Sequence, residues 1–304
     1  MSSGRIRPGE LRCGEPMARY TSWRAGGPAR RLYCPNGLED LCRFLRELPA
    51  EEPLYWCGLG SNLLVRDGGI AGTVILTQGG LDGLRFDGER VRAEAGVACG
   101  RLARAAVRRN LGRAEFFAGI PGTVGGALAM NAGAWGGETW ERLEAVETVD
   151  REGTVRYRYP EEYRVGYRTV EGPRDEWFVA GHWHLEPGDG AQLRERIAAL
   201  LRERNAAQPI GRPSCGSVFR NPPGDHAARL IEAAGLKGST VGGAHVSTRH
   251  ANFILNEAGS AADLEALIDR VRGTVEAVHG VRLELEVRIV GQHPAGGAQH
   301  DGLE

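Results

Sequence analysis

Five glycines within the nineteen residues 116–134 constrain this chain more than any other stretch: Phe116-Phe117-Ala118-Gly119-Ile120-Pro121-Gly122-Thr123-Val124-Gly125-Gly126-Ala127-Leu128-Ala129-Met130-Asn131-Ala132-Gly133-Ala134. Glycine inside a helix or strand costs about 1 kcal/mol relative to alanine, so such a run serves positive φ angles or the close approach of backbone to another group. A phosphate-bearing cofactor is one such visitor. Amides without side chains form anion-binding concavities, and a helix beginning near Thr123 would add its positive end. A tight turn followed by small-residue helix packing explains the same run, and spacing does not separate the two.

The 304 residues suffice for two domains or for one domain with an extra lobe, and the formal net charge of −1 argues against nucleic acid or an anionic membrane as the main partner. No run of about eighteen apolar residues exists, and no apolar core follows the N-terminal charges, so neither a transmembrane helix nor a signal peptide is expected. The cysteines at 13, 34, 42, 57, 99 and 215 include no Cys-x-x-Cys pair and read as reduced thiols. His182 and His184 share a strand face without a companion ligand, and no metal is expected.

Up to about residue 75 the pattern is α/β. Residues 38–48 carry leucines at helical spacing before Pro49, and the strand 54–57 runs into Gly58-Leu59-Gly60-Ser61-Asn62, a second candidate phosphate cradle. It lacks the third glycine of a dinucleotide fingerprint, because Leu63 stands there, and Lys237 precedes its glycine where a P-loop lysine would follow. From about 72 to 186 strands dominate, with a helix through Leu102–Val107 and a hairpin pairing 146–149 with 155–159. Residues 161–168, with Arg164, Tyr167 and Arg168 around Gly166, read either as an anion clamp or as a solvated loop.

The last third reads as a separate lobe after the Pro-containing stretch 208–213. Ser217 could supply a catalytic hydroxyl or Cys215 a nucleophile, or the whole could be a turn; a serine without the flanking glycines of a nucleophile elbow is usually structural. A strand is expected over 250–256. Ser260 and Asp263 form a capping box opening a helix that runs to Gly280. The closing strand alternates Val281, Leu283, Leu285, Val287 and Ile289 with Arg282, Glu284, Glu286 and Arg288.

Several motifs recur together. Thr21-Ser22-Trp23-Arg24-Ala25-Gly26-Gly27-Pro28-Ala29, the loops at 58–62 and 118–126, and Met130-Asn131-Ala132-Gly133-Ala134 resemble the UDP-N-acetylenolpyruvoylglucosamine reductases. Gly166-Tyr167-Arg168, Gly216-Ser217-Val218-Phe219-Arg220-Asn221-Pro222, His250-Ala251-Asn252-Phe253-Ile254 and Glu286-Val287-Arg288 continue the resemblance in order over roughly residues 20–290. Tyr20 stands where the family often has asparagine, and the inserted tyrosine-bearing loop of one branch is missing, so the chain resembles the shorter branch.

The resemblance implies an α+β fold: a two-part FAD-binding domain of the vanillyl-alcohol-oxidase (PCMH) type, over 1–75 and 76–207, a C-terminal α/β substrate-binding lobe over 208–290, and a disordered tail over 291–304. It implies a cytoplasmic, monomeric flavoenzyme of peptidoglycan synthesis with tightly bound FAD, NADPH as electron donor and a UDP-sugar substrate. Gly58, Gly60, Ser61, Asn62, Gly119, Ile120, Pro121, Gly122, Thr123, Gly125 and Gly126 would hold FAD. Tyr167, Asn221, His250 and Arg288 would bind substrate. Ser217 would deliver a proton, Arg168 would stabilise developing negative charge, and Glu286 would hydrogen-bond the same group or orient Arg168. An FAD oxidase of a sugar or aromatic alcohol would share the glycine loops without these three residues. A nucleotide-binding module without redox chemistry is the non-enzymatic alternative.

Overall fold

The computed structural model describes residues 4–294 and divides into two compact units, neither contiguous in sequence. The first contains residues 4–12, Leu32–Ser61 and Val74–Ile210; the second contains Cys13–Arg31, Asn62–Thr73 and residues 211–294. Residues 13–31 and 62–73 thus belong with the C-terminal third.

The first unit is built on a five-stranded sheet in the order Val155–Arg158, Leu143–Asp150, Glu176–His184, Arg90–Glu94, Leu84–Asp87, with every pair antiparallel. Alternation sorts its two faces. Val91, Val146 and Trp183 enter a core with Leu102, Ala103 and Ala106 of the helix Cys99–Val107, with Phe117, and with Val124 and Leu128 of the helix Val124–Met130. Glu147, His182 and Arg92 share the opposite, polar face, as expected of a soluble sheet. A second core packs Leu41, Cys42 and Leu45 of the helix Leu38–Glu47 on Ile75, Val149 and Val179. The expected strand at 54–57 and hairpin at 146–159 form where the pattern placed them.

Segment 161–168, which permitted a solvated loop, instead holds a two-stranded hairpin of Arg164–Gly166 with Thr169–Glu171. Tyr167 and Arg168 make its turn, and Arg168 takes a φ of +56°.

In the second unit the helix Ala261–His279 buries Leu264, Leu267, Ile268, Val271 and Val275. Its capping box is present, with Asp263 N–H donating to Ser260 Oγ and Ser260 N–H to the Asp263 carboxylate. Asp67 adds a second cap, accepting from the Ala261 and Ala262 amides at 3.0 and 2.9 Å. A three-stranded sheet of Thr240–Val241, Ala244–Val246 and Ile254–Asn256 lies against this helix, and Trp23, fully buried, donates its indole N–H to Ile254 O at 2.8 Å.

Two strand expectations shorten here. Only Ile254–Asn256 of 250–256 is a strand, because the preceding residues turn, with Phe253 N–H bonded to His250 O. The closing strand pairs regularly only over Arg288–Val290, parallel to Leu63–Val65. Its burial alternation holds: Leu283 and Val287 are buried, and Arg282, Glu284 and Arg288 are exposed. Of the tail expected to be disordered, Gln292 pairs with Gly69, and residues 295–304 lie outside the described ones.

Candidate functional site

In the first unit the two glycine loops meet. A Cβ on Gly58 would lie 2.2 Å from Thr123 Oγ1, and one on Gly122 would lie 3.3 Å from Ser61 Oγ. Glycine is therefore required at 58 for the loops to approach. Gly119 and Gly125 are likewise packed, their absent Cβ positions taken by the Trp135 ring at 2.2 Å and by Ala95 Cβ at 2.8 Å. Gly60 has a φ of +60°, a conformation glycine adopts at little cost.

The helix expected near Thr123 begins at Val124, with Thr123 as its N-cap. Its first amides do not wait for an anion: Val124 N–H donates to Val97 O and Gly125 N–H to Ala95 O, each at 2.9 Å. Cys99 N–H takes Gly122 O at 3.0 Å. The helix end is thus pinned to residues 95–99, which leaves anion contact to other groups.

Room exists over Gly126, where a Cβ would meet nothing closer than Thr123 Oγ1 at 3.9 Å. A surface of bare backbone at Gly122 and Gly126, rimmed by the Ser61 and Thr123 hydroxyls, fits a phosphate-bearing group such as FAD. Arg168 lies at the far end of the same glycine-rich stretch, donating from Nη2 to Gly133 O at 2.9 Å and from Nη1 to Asn131 O at 3.4 Å. Its guanidinium carbon stands 5.2 Å from the centre of the half-exposed Tyr167 ring.

In the second unit, Ser217 and Glu286 lie on backbone segments that bond to each other. Glu286 N–H donates to Val218 O at 2.8 Å, and Arg220 N–H to Glu284 O at 2.9 Å. Gly216, with a φ of +71°, turns the chain into Ser217. The next residues are gripped by Asn252: Phe219 N–H donates to its Oδ1 at 3.0 Å, its Nδ2 donates to Phe219 O at 2.8 Å, and Val218 N–H takes its main-chain oxygen at 2.9 Å. Sequence reasoning missed Asn252 as a site residue. Its one signal was its place inside the motif 250–254.

Asn62 Nδ2 donates to Glu286 O, and Asn62 O accepts from Arg288 N–H, both at 3.0 Å. Asn221 Oδ1 accepts from Ala227 N–H at 3.1 Å, which ties it to the start of the helix Ala227–Ala233. His250 Nδ1 accepts from Asn252 N–H at 3.3 Å, and burial, with Lys237 adding to it, holds the imidazole below its ordinary range. Both effects favour a neutral ring. Arg288 is exposed; Lys237 pairs with Glu232 at 2.7 Å. Ser217, Glu286, Arg288 and Asn62 are thus brought together in the second unit, while Arg168 and Tyr167 belong to the first with the glycine cradle.

Among the described residues no group of three or more His, Cys, Asp or Glu could hold a metal ion, and no helix is long and apolar enough to cross a membrane. His182 Nε2 lies 2.8 Å from Glu147, and His184 Nε2 lies 3.0 Å from Glu89.

Comparison with known proteins places this geometry in context. Residues 29–157 match the family described as FAD binding domain, and residues 208–290 match the family described as UDP-N-acetylenolpyruvoylglucosamine reductase, C-terminal domain. A UDP-N-acetylenolpyruvoylglucosamine reductase of Alkalilimnicola ehrlichii is 70% identical over 289 residues, covering 95% of this chain and 97% of the relative. One from Methylococcus capsulatus is 60% identical, covering 92% and 93%. The crystal structure of UDP-N-acetylenolpyruvylglucosamine reductase (MurB) from Thermus caldophilus aligns with a TM-score of 0.79 at 36% identity, covering 92% of this chain and 98% of that one. The expected fold stands as mixed helix and strand, with an FAD-binding domain and a C-terminal reductase domain.

Proposed function

This chain belongs to the UDP-N-acetylenolpyruvoylglucosamine reductase family, and on that premise we propose how its own residues carry out the reduction. It is an FAD-dependent oxidoreductase that converts the enolpyruvyl ether of UDP-N-acetylglucosamine enolpyruvate to the lactyl ether of UDP-N-acetylmuramate, with NADPH as donor, in peptidoglycan synthesis. The observation that carries the reading is the meeting of the glycine loops at Gly58 and Thr123, with bare backbone at Gly126 beside them.

Gly58, Gly60, Ser61, Asn62 and residues 119–126 would hold FAD, with Gly122, Gly126 and the Ser61 and Thr123 hydroxyls at its phosphates. When bound, the flavin supplies the hydride that reduces the terminal vinyl carbon of the substrate. Negative charge then builds on the neighbouring carbon and spreads into its carboxylate. Arg168 stabilises that charge, since a guanidinium fork matches a carboxylate and a fixed donor requires no rearrangement during reaction. The carbonyls of Asn131 and Gly133 already set the plane of the fork.

Ser217 Oγ donates the proton to the carbon bearing the ether oxygen, and the grip of Asn252 on Val218 and Phe219 supports its role by fixing the backbone that follows it. General acid catalysis of this kind is typically worth about 10²–10⁴ in rate. Glu286, as its protonated acid, donates a hydrogen bond to the same substrate carboxylate, since two carboxylates with no proton between them would repel. Tyr167, Asn221, His250 and Arg288 contribute to substrate binding, with His250 neutral. A substrate-binding domain over 208–290 is supported by the family match there, whereas the compact units do not follow the division into 1–75 and 76–207, since residues 13–31 and 62–73 group with 211–294. The protein acts as a monomer in the cytoplasm, with the UDP-sugar as its partner and neither nucleic acid nor membrane among its ligands.

The test is an anaerobic visible spectrum. Protein bleached with NADPH and mixed with UDP-N-acetylglucosamine enolpyruvate should regain its flavin band rapidly; recovery only with oxygen would overturn the substrate assignment.

A further inference from the structure

Asn131 ends the helix Val124–Met130 with a φ of +44°, a left-handed conformation that glycine would supply with less strain. Asparagine must therefore be there for its side chain, which is 2% exposed with its residue and makes three hydrogen bonds. Nδ2 donates to Glu138 Oε2 at 2.8 Å and to Gly166 O at 3.2 Å, and Oδ1 accepts from Trp140 N–H at 3.2 Å. A helix cap needs none of these bonds.

They converge on Arg168. Gly166 is the last strand residue before the turn that carries Arg168, so the bond to its carbonyl fixes the root of the arginine. The main-chain carbonyl of Asn131 accepts from Nη1 and that of Gly133 from Nη2, which fixes the head. Gly133 leaves no slack: a Cβ there would lie 2.7 Å from Gly137 O and 3.3 Å from Arg168 Nη1.

We infer that Asn131 is a positioning residue for Arg168: one buried amide, oriented by Glu138, holds both the hairpin that delivers the arginine and the carbonyl that orients its fork. The inference rests on the charge-stabilising role proposed for Arg168.

Asn131→Gly keeps the backbone conformation and removes the side-chain bonds. Flavin binding and the rate of bleaching by NADPH should stay within about twofold, while flavin reoxidation by the enolpyruvyl substrate should slow on the order of 10- to 100-fold, as expected for a misaligned group. Calorimetric affinity for UDP-N-acetylmuramate, whose carboxylate would meet the same arginine, should weaken in Asn131→Gly and in Arg168→Ala alike. In an Arg168→Ala background Asn131→Gly should cost no more than about twofold further in either measurement, because coupled residues are not additive. Full multiplication of the two losses would overturn the positioning role while leaving Arg168 in place. Reoxidation unaffected by Arg168→Ala alone would overturn the role of the arginine and this inference with it. If Asn131→Gly yields no folded flavoprotein, Asn131→Asp serves in its place: reoxidation should slow similarly and recover in part with Glu138→Gln, which restores a donor between the two side chains. Loss without that recovery counts against the inference.

Discussion

Asn62 brackets the peptide that carries Glu286: its side-chain amide donates to Glu286 O, and its main-chain carbonyl takes the N–H of Arg288, each at 3.0 Å. A residue whose motif suggests cofactor contact thus also holds the acidic residue in register with Leu63–Val65. Asn62→Asp would put a carboxylate oxygen against that carbonyl. Losing that hydrogen bond to a partly buried carbonyl costs about 0.5–1.5 kcal/mol, so the melting temperature should fall by a few degrees and reoxidation by substrate should slow more than bleaching by NADPH. Equal slowing of both steps would argue that Asn62 serves the flavin alone.

Ser217→Ala removes the proposed proton donor while Asn252 still holds the adjoining backbone. Stopped-flow traces should show bleaching by NADPH nearly unchanged and return of the yellow band slowed by about 10²–10⁴, the usual worth of a positioned acid. A matching loss in both steps would sink the proton-donor role.

Gly58→Ala would drive a Cβ to 2.2 Å from Thr123 Oγ1 and 3.0 Å from its Cγ2. Overpacking of this kind costs about 1–3 kcal/mol, and the purified variant should lose stability and retain less flavin. Thr123→Ala in the same chain removes both offending atoms and should recover much of the stability, while flavin retention stays reduced because the Thr123 hydroxyl is lost from the phosphate site. No recovery would place the defect elsewhere than this contact.

Acid stability should report on Glu147. Burial raises its pKa, but the Arg92 fork at 2.6 and 2.7 Å and His182 at 2.8 Å outweigh that and hold it at about 2, against an ordinary 4.5. Because the folded value is depressed, the stabilisation is complete above the unfolded value and is lost as pH falls through the folded one. Glu147→Gln should therefore flatten the decline of melting temperature between about pH 5 and pH 2. An unchanged slope would remove Glu147 from the acid response.

The helix Ala261–His279 was legible in its cap and in its apolar spacing as far as Val275, because these are local signals that its packing obeys, whereas Val278 keeps the same spacing but lies exposed near the helix end. The hairpin at 164–171 was not: its strands are three residues each, and its turn uses Arg168 at positive φ where glycine or asparagine would announce one. The glycine loops showed that they were constrained without showing by what. Gly58, Gly119 and Gly125 are glycine because Thr123, Trp135 and Ala95 fill the space a Cβ would need, partners that only the tertiary structure supplies. Asn131 and Asn252 escaped for the same reason, since an asparagine that braces distant backbone looks locally like any turn residue.

The bond from the Trp23 indole to Ile254 closes a loop of 231 residues. Trp23, Ala25 and Leu64 share their core with Leu230, Leu264 and Leu283, so during synthesis they leave the ribosome long before most of their neighbours exist. The second unit is therefore a late event in folding, and contacts this distant in sequence make it a slow one. A chain stopped near residue 210 should keep much of the first unit's sheet yet present Trp23 and Leu64 to solvent. Its expected fate is aggregation rather than a soluble half-enzyme.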